Sequence, residues 1–359
     1  MKKYFFILAG FALAIMAAAC GAQTGGPAGS SSELPPATAS SSSAPGGGFL
    51  EDSEEFHFIL ASSATSEAVM GVTAQYFADL VNEHSGGKIT IRTFLDMELG
   101  SDEELIKGAS IGTVDLIITS TPNVTNIVPT FALFDLPNVF SDMGTAQRVL
   151  SGFTEKMAPQ MEGSGLHLCF MSPTSFRWMS SNQAIRSIDD FQGLRIRTMR
   201  NAYHMAYWEA LGASAIPLTF SELYISLQQG LVHAQENPPD VFIDAKLQEQ
   251  QKYLVDTKHI VFIGTLLMNE DQWNRLPAQY QSFLEDCFIK AAAFGSEYGA
   301  EIESNCIHQL EEAGMEIVEL DRTLLKQMSE RAQPVYDMIR ETVGADLMDE
   351  YLNAVENAS

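Results

Sequence analysis

The sequence predicts an α/β protein built as two lobes with a helical C-terminal region. Three observations predict it. Residues 56–120 alternate strand-like and helix-like patterns in the order β-α-β-α-β, which implies a parallel sheet covered on both faces. Residues 166–235 repeat that style. The folded body, about residues 49–359, exceeds one typical domain and turns mostly helical from Asn269 onward.

The chain begins MKKYFFILAGFALAIMAAAC. Lys2 and Lys3 precede an apolar run over residues 4–16, and small residues then lead into Cys20. The run is shorter than the roughly 20 residues a membrane-crossing helix needs, so residues 1–20 read as a signal peptide. Cys20 after small residues resembles a lipobox, with Ala17 where leucine is usual, and is expected to carry a lipid. The alternative is plain secretion with an incidental cysteine. Residues 21–50 are rich in Gly, Ser, Ala and Pro, too poor in apolar side chains to bury a core, and read as a flexible tether. The expected location is outside the cytoplasm, anchored at the outer face of the cell membrane or in the periplasm.

FHFILASS reads as a first strand. The next segment places Val69, Val72, Tyr76, Phe77, Leu80 and Val81 on one helical face, and Gly86–Gly87 ends it. KITIRTF alternates as a strand, SDEELIKGASIG opens a helix with Ser101 and acids in its first turn, and TVDLIITS is a third strand. Further along, LHLCFMS is a strand and FRWMSSNQAI is extended. LRIRT alternates, with Arg195 and Arg197 on one side. NAYHMAYWEALG is a helix closed by Gly212, and TFSELYISLQQG begins with a capping box of Thr219 and Glu222. LVHAQ is a strand running into ENPP.

The formal charge is −25 with 21 Lys and Arg, and becomes −27 without Lys2 and Lys3. Such a field excludes nucleic acid and anionic lipid as general partners, so any bound anion needs a local positive site. Cys169, Cys287 and Cys306 show no metal-like spacing, and a Cys287–Cys306 disulfide stays possible. The seven histidines form no i, i+4 pair, and no G-x-S-x-G, H-E-x-x-H, P-loop or G-x-G-x-x-G occurs. No enzyme activity, cofactor or metal is expected.

In open α/β sheets ligands gather at the carboxyl ends of strands. Arg197 lies near one such end, and Asn237 just past another, held extended by Pro238. Phe220 lies in the first turn of the capped helix between them. An arginine, an amide and a ring thus converge on one cleft edge.

GLRIRT…LGASAIPLTFSELYISLQQGLVHAQENP resembles the DctP-type substrate-binding proteins of TRAP (tripartite ATP-independent periplasmic) transporters. GGKITIRTF…ELGSDEELIKGASIGTVDLI, FDLPNVF, FRWMSSNQAIRSIDDFQGLRIR and RLPAQYQSFL agree, in colinear order over about residues 56–344. The resemblance implies a periplasmic-binding-protein-like clamshell. Lobe I is expected over residues 51–174 with 264–302, lobe II over 175–263 with 303–359. It also implies a small organic carboxylate as ligand and TRAP membrane subunits as partners. A ligand-carboxylate salt bridge falls on Arg197 and a second arginine on Arg177. The motif's asparagine falls on Asn237, its aromatic on Phe220, and the first-lobe pocket on Ser63 and Ser120. Arg200, following Met199 where the family often has proline, stays open between a second carboxylate contact and a solvent-facing charge. Phe220 is also readable as a hydrophobic staple, Asn237 as a turn former, and Trp178 as packed or bordering the cleft. Arg195 reads as structural. A receptor feeding a signalling protein is the alternative to transport.

Overall fold

The computed structural model describes residues 54–358; the lipobox-like Cys20 and the tether lie outside them. The described residues belong to one compact unit.

The first strand, β1 (Phe56–Ala61), leads through residues 62–68 into α1 (Val69–His84). Gly86 and Gly87, at φ 64° and 81°, turn the chain back into β2 (Ile89–Phe94). Ser101 and Glu104 form a capping box at the start of α2 (Asp102–Ser110), and β3 (Leu116–Ser120) runs directly into the single turn α3 (Thr121–Val124). A 3-10 segment, Pro129–Asp135, precedes α4 (Met143–Leu150) and α5 (Phe153–Met157).

The strand LHLCFMS and the extended FRWMSSNQAI join into one strand, β4 (Leu166–Ser181). Next come β5 (Arg195–Thr198), α6 (Ala202–Leu211), β6 (Ser214–Pro217), α7 (Phe220–Gln228) and β7 (Ala234–Asn237). Asn237 is thus the last residue of its strand rather than the first beyond it. The chain continues through α8 (Pro239–Asp244), β8 (Tyr253–Asn269), α9 (Glu270–Arg275) and α10 (Ala278–Glu312). The C-terminal region is helical as expected, in α11 (Arg322–Arg331), α12 (Gln333–Val343) and α13 (Ala345–Ala358), except for the short β9 (Glu316–Val318).

The strands form one sheet in the order β2-β1-β3-β8-β4-β7-β5-β6, with β9 beside β8. Both flanks are parallel, β2-β1-β3 and β7-β5-β6. The parallel order expected for residues 56–120 is present in β2-β1-β3, whereas the middle of the sheet is antiparallel. There β8 and β4 run antiparallel to each other and to β3 and β7. Local alternation reports neighbouring elements, and β8 joins the sheet from far along the chain. The two long strands tie the flanks together, and Pro173 is accommodated because the β4–β8 register shifts between Pro173 and Ser175.

One apolar core packs α1 and the first half of α10 on β1 and β3, through Phe77, Phe288 and Tyr280. A larger one joins Phe131, Phe153, Trp208 and Tyr351, uniting the 3-10 segment with α5, α6 and the C-terminal helices. Cys169, Cys287 and Cys306 are buried free thiols. The possible Cys287–Cys306 disulfide is therefore excluded: both residues lie on α10, roughly 28 Å apart at 1.5 Å per residue, far beyond disulfide reach.

Candidate functional site

Alternation along β5 turns Arg197 inward, and it is 2% exposed. Its Nε and Nη2 donate to the Leu218 carbonyl at 3.0 and 2.8 Å. Among the described residues no carboxylate stands within ion-pair distance of this guanidinium. Burial pushes its pKa down to about 10, opposed by Glu236 and reinforced by Arg177, so it remains a cation at neutral pH. Arg195, on the same strand, donates to the Gly230 carbonyl at 2.7 Å and meets His233 Nε2 at 2.9 Å, bracing the chain ahead of β7.

Leu218 is held in place by the start of α7. Thr219 N and Oγ1 both donate to Glu222 Oε2, at 2.9 and 2.6 Å. That capping box places Phe220 at the first helical position, where it lines the cavity and packs against the larger core.

Arg177, on β4, is 1% exposed and makes a two-pronged ion pair with Glu236, Nε to Oε2 and Nη2 to Oε1. Its Nη2 also reaches Asn237 Oδ1 at 3.1 Å, whereas Nη1 is buried with no hydrogen-bond partner among the described residues. Asn237 Nδ2 donates to Gln235 Oε1 at 2.7 Å, which fixes the amide orientation and leaves one N–H unused. Burial alone would raise the Glu236 carboxyl. Arg177, then His204 with its Nδ1 3.7 Å from Oε1 and His259 with its Nε2 3.2 Å from Oε2, hold it well below the usual carboxylate range. His204 Nε2 in turn lies 3.2 Å from Asp135 Oδ1.

Ser63 Oγ donates to Asp102 Oδ2 at 2.8 Å, and Ser120 Oγ accepts from Asn123 Nδ2 at 3.3 Å. Arg200 is 55% exposed at the mouth, its Nε 3.4 Å from Glu103 Oε1. One cleft of about 850 Å³, including its open mouth, is lined by Arg197, Arg177, Asn237, Phe220, Arg200, Ser63 and Ser120 together. Trp178, beneath Lys258 at 4.9 Å, is buried and does not line the cleft.

The sequence reading passed over several wall residues. Asp102, Met70, Asp244 and Phe262 line the cleft, and Glu236, behind Arg177, carries the buried ion pair. Glu236 stood within the QENP motif without a role. Asp244 lies on a six-residue helix too short to show periodicity.

Among the described residues no helix is long and apolar enough to cross a membrane, and no cluster of three His, Cys, Asp or Glu is placed to hold a metal ion. The chain matches the family model for DctP, bacterial extracellular solute-binding protein family 7, over residues 60–342. It is 31% identical to a solute-binding protein of Verminephrobacter eiseniae, covering 72% of this chain and 77% of that one. It is 30% identical to the 2,3-diketo-L-gulonate-binding periplasmic protein YiaO of Escherichia coli, covering 77% and 85%. Among solved structures, the sugar acid binding protein DctPAm of Advenella mimigardefordensis, in complex with galactonate, superimposes with a TM-score of 0.82. That match is 25% identical and covers 86% of this chain and 100% of the other. The clamshell architecture and the binding role, rather than catalysis, follow: the chain belongs to the DctP family of extracytoplasmic solute-binding proteins, the ligand-capturing components of TRAP transporters.

Proposed function

We propose that this protein captures a small organic carboxylate between its lobes and delivers it to TRAP membrane subunits. Arg197 grips the carboxylate. Arg177 Nη1 and the unused N–H of Asn237 donate to its remaining lone pairs, and Phe220, Ser63 and Ser120 shape the surroundings. Arg200 stands at the mouth as a further contact. The observation that carries this reading is Arg197: a buried cation facing a cleft with no carboxylate beside it. Buried charges are stable only when paired, and a guanidinium matches a carboxylate two-prongedly. The ligands named for the two sugar-acid relatives, galactonate and 2,3-diketo-L-gulonate, are carboxylates and support it.

Lobe I comprises residues 51–174 with 264–302, and lobe II residues 175–263 with 303–359. The register shift between Pro173 and Ser175, where these pair with Ile263 and Phe262, supports a hinge at that boundary. We further infer that Cys20 is lipidated and holds the body at the membrane's outer face through the tether.

A thermal-shift screen of the purified protein against a carboxylate panel tests the central reading. A ligand at about 100 times its Kd adds about 2.7 kcal/mol of stability. A shift that disappears in a folded Arg197→Ala variant is expected; an equal shift in both proteins would remove Arg197 from the mechanism.

A further inference from the structure

The cleft also holds carboxylates that form no ion pair among the described residues. Of its three arginines, Arg177 is neutralised by Glu236 behind it and Arg200 by Glu103 at the mouth. Only Arg197 has no carboxylate within ion-pair distance among the described residues. Of its three carboxylates, Glu103 is the one so paired. Asp102 accepts from Ser63 at 2.8 Å and from Thr119 at 2.7 Å, both neutral hydroxyls. Asp244, at the end of α8, accepts from Thr65 Oγ1 through Oδ2 at 3.1 Å. Its Oδ1 has no hydrogen-bond partner, and no Lys, Arg or His lies within ion-pair distance, among the described residues.

A first carboxylate satisfies Arg197 and the partnerless Nη1 of Arg177. A second would share a partly desolvated cleft with Asp244, which has no counter-ion, and with Asp102, whose charge already acts on Arg197, and like charges at short range repel strongly there. A hydroxyl or ammonium at that end would instead donate to Asp244. Resting on the carboxylate reading above, we propose that the ligand is a monocarboxylate with hydrogen-bond donors at its far end. Asp244 accepts from those donors, and Asp244 with Asp102 rejects a second carboxylate. Burial pushes the Asp244 carboxyl up to about 6, Thr65 opposing, with Asp240, Glu67 and Asp96 adding to the rise. A donor on the ligand would relieve that unsatisfied charge.

The experiment is calorimetric titration of the purified protein at pH 7.5 with matched pairs of four- to seven-carbon acids. Each pair offers one chain as a hydroxy or ω-amino monocarboxylate and as the corresponding dicarboxylate, for example gluconate with glucarate and 6-aminohexanoate with adipate. The expected result is at least a 100-fold preference for the monocarboxylate of the best-bound pair. Asp244→Asn, checked for folding by its melting curve, should narrow that preference at least tenfold. Equal or tighter binding of the dicarboxylate overturns the proposal while leaving the carboxylate reading intact. So does an unchanged preference in folded Asp244→Asn. Binding of no acid in either series overturns the carboxylate reading itself, and the acidic wall with it.

Discussion

Arg197 donates twice to one carbonyl, that of Leu218, through Nε and Nη2. This fixes the plane of the guanidinium and occupies its Nε edge. A carboxylate must then approach the opposite edge, through Nη1 and the second hydrogen of Nη2. A lysine offers one compact charge whose three N–H groups lack the planar, parallel pair, so it cannot reproduce the carbonyl contact and a two-pronged carboxylate grip together. Arg197→Lys is therefore expected to lose about 2–5 kcal/mol of binding free energy, close to the loss in Arg197→Ala. Calorimetric titration with the best ligand checks this, and near-native affinity in the lysine variant would refute the two-pronged grip.

The Arg177–Glu236 pair is buried, at 1% and 0% exposure. Removing one partner leaves an uncompensated charge. Glu236→Gln is expected to cost about 3–5 kcal/mol of stability, and a Glu236→Leu, Arg177→Met double substitution considerably less. Denaturant titration of the three proteins measures both differences. Equal losses in the single and double variants would show that the charge pairing is not the cause.

His204 makes stability depend on pH. Burial lowers its pKa, but Asp135 and Glu236 outweigh burial and raise it to about 9. Unfolded histidine titrates near 6.5, so the stabilisation is complete below about pH 6.5 and is lost as pH rises through 9. The loss is on the order of 3 kcal/mol across that window. Unfolding free energies from pH 6 to 9.5 should show the decline in the natural protein and a flatter profile in His204→Gln. Identical slopes would contradict a charged His204.

Gly299 lets α10 lie against β4. A Cβ there would stand 2.6 Å from the Thr174 carbonyl oxygen, a backbone atom that cannot swing aside. Gly299→Ala should cost about 1–3 kcal/mol through overpacking, despite alanine's better helix propensity. A thermal melt unchanged or raised would show that the helix shifts freely.

If Cys20 is lipidated, Cys20→Ala should move the protein from the membrane fraction to the soluble extracytoplasmic fraction without changing its ligand affinity. Retention of the variant on membranes would assign the attachment to something other than the lipid.

Much of this protein was legible in its sequence because the signals were local. The Thr219–Glu222 box, the Gly212 and Gly86–Gly87 stops and the shared strand face of Arg195 and Arg197 each depend on residues a few positions apart. The motifs that singled out Arg197, Arg177, Asn237, Phe220, Arg200, Ser63 and Ser120 named residues that line one cleft. The tertiary structure alone decided which charges there are already satisfied. Glu236 meets Arg177 across 59 residues, Asp244 meets Thr65 across 179, and Arg197 has no carboxylate within ion-pair distance among the described residues. It likewise set the antiparallel centre of the sheet, since β8 pairs with a strand more than 70 residues before it. Periodicity records which face of an element is buried; it carries no record of which distant charge is folded against it, and the electrostatics of the cleft are the sum of those distant pairings.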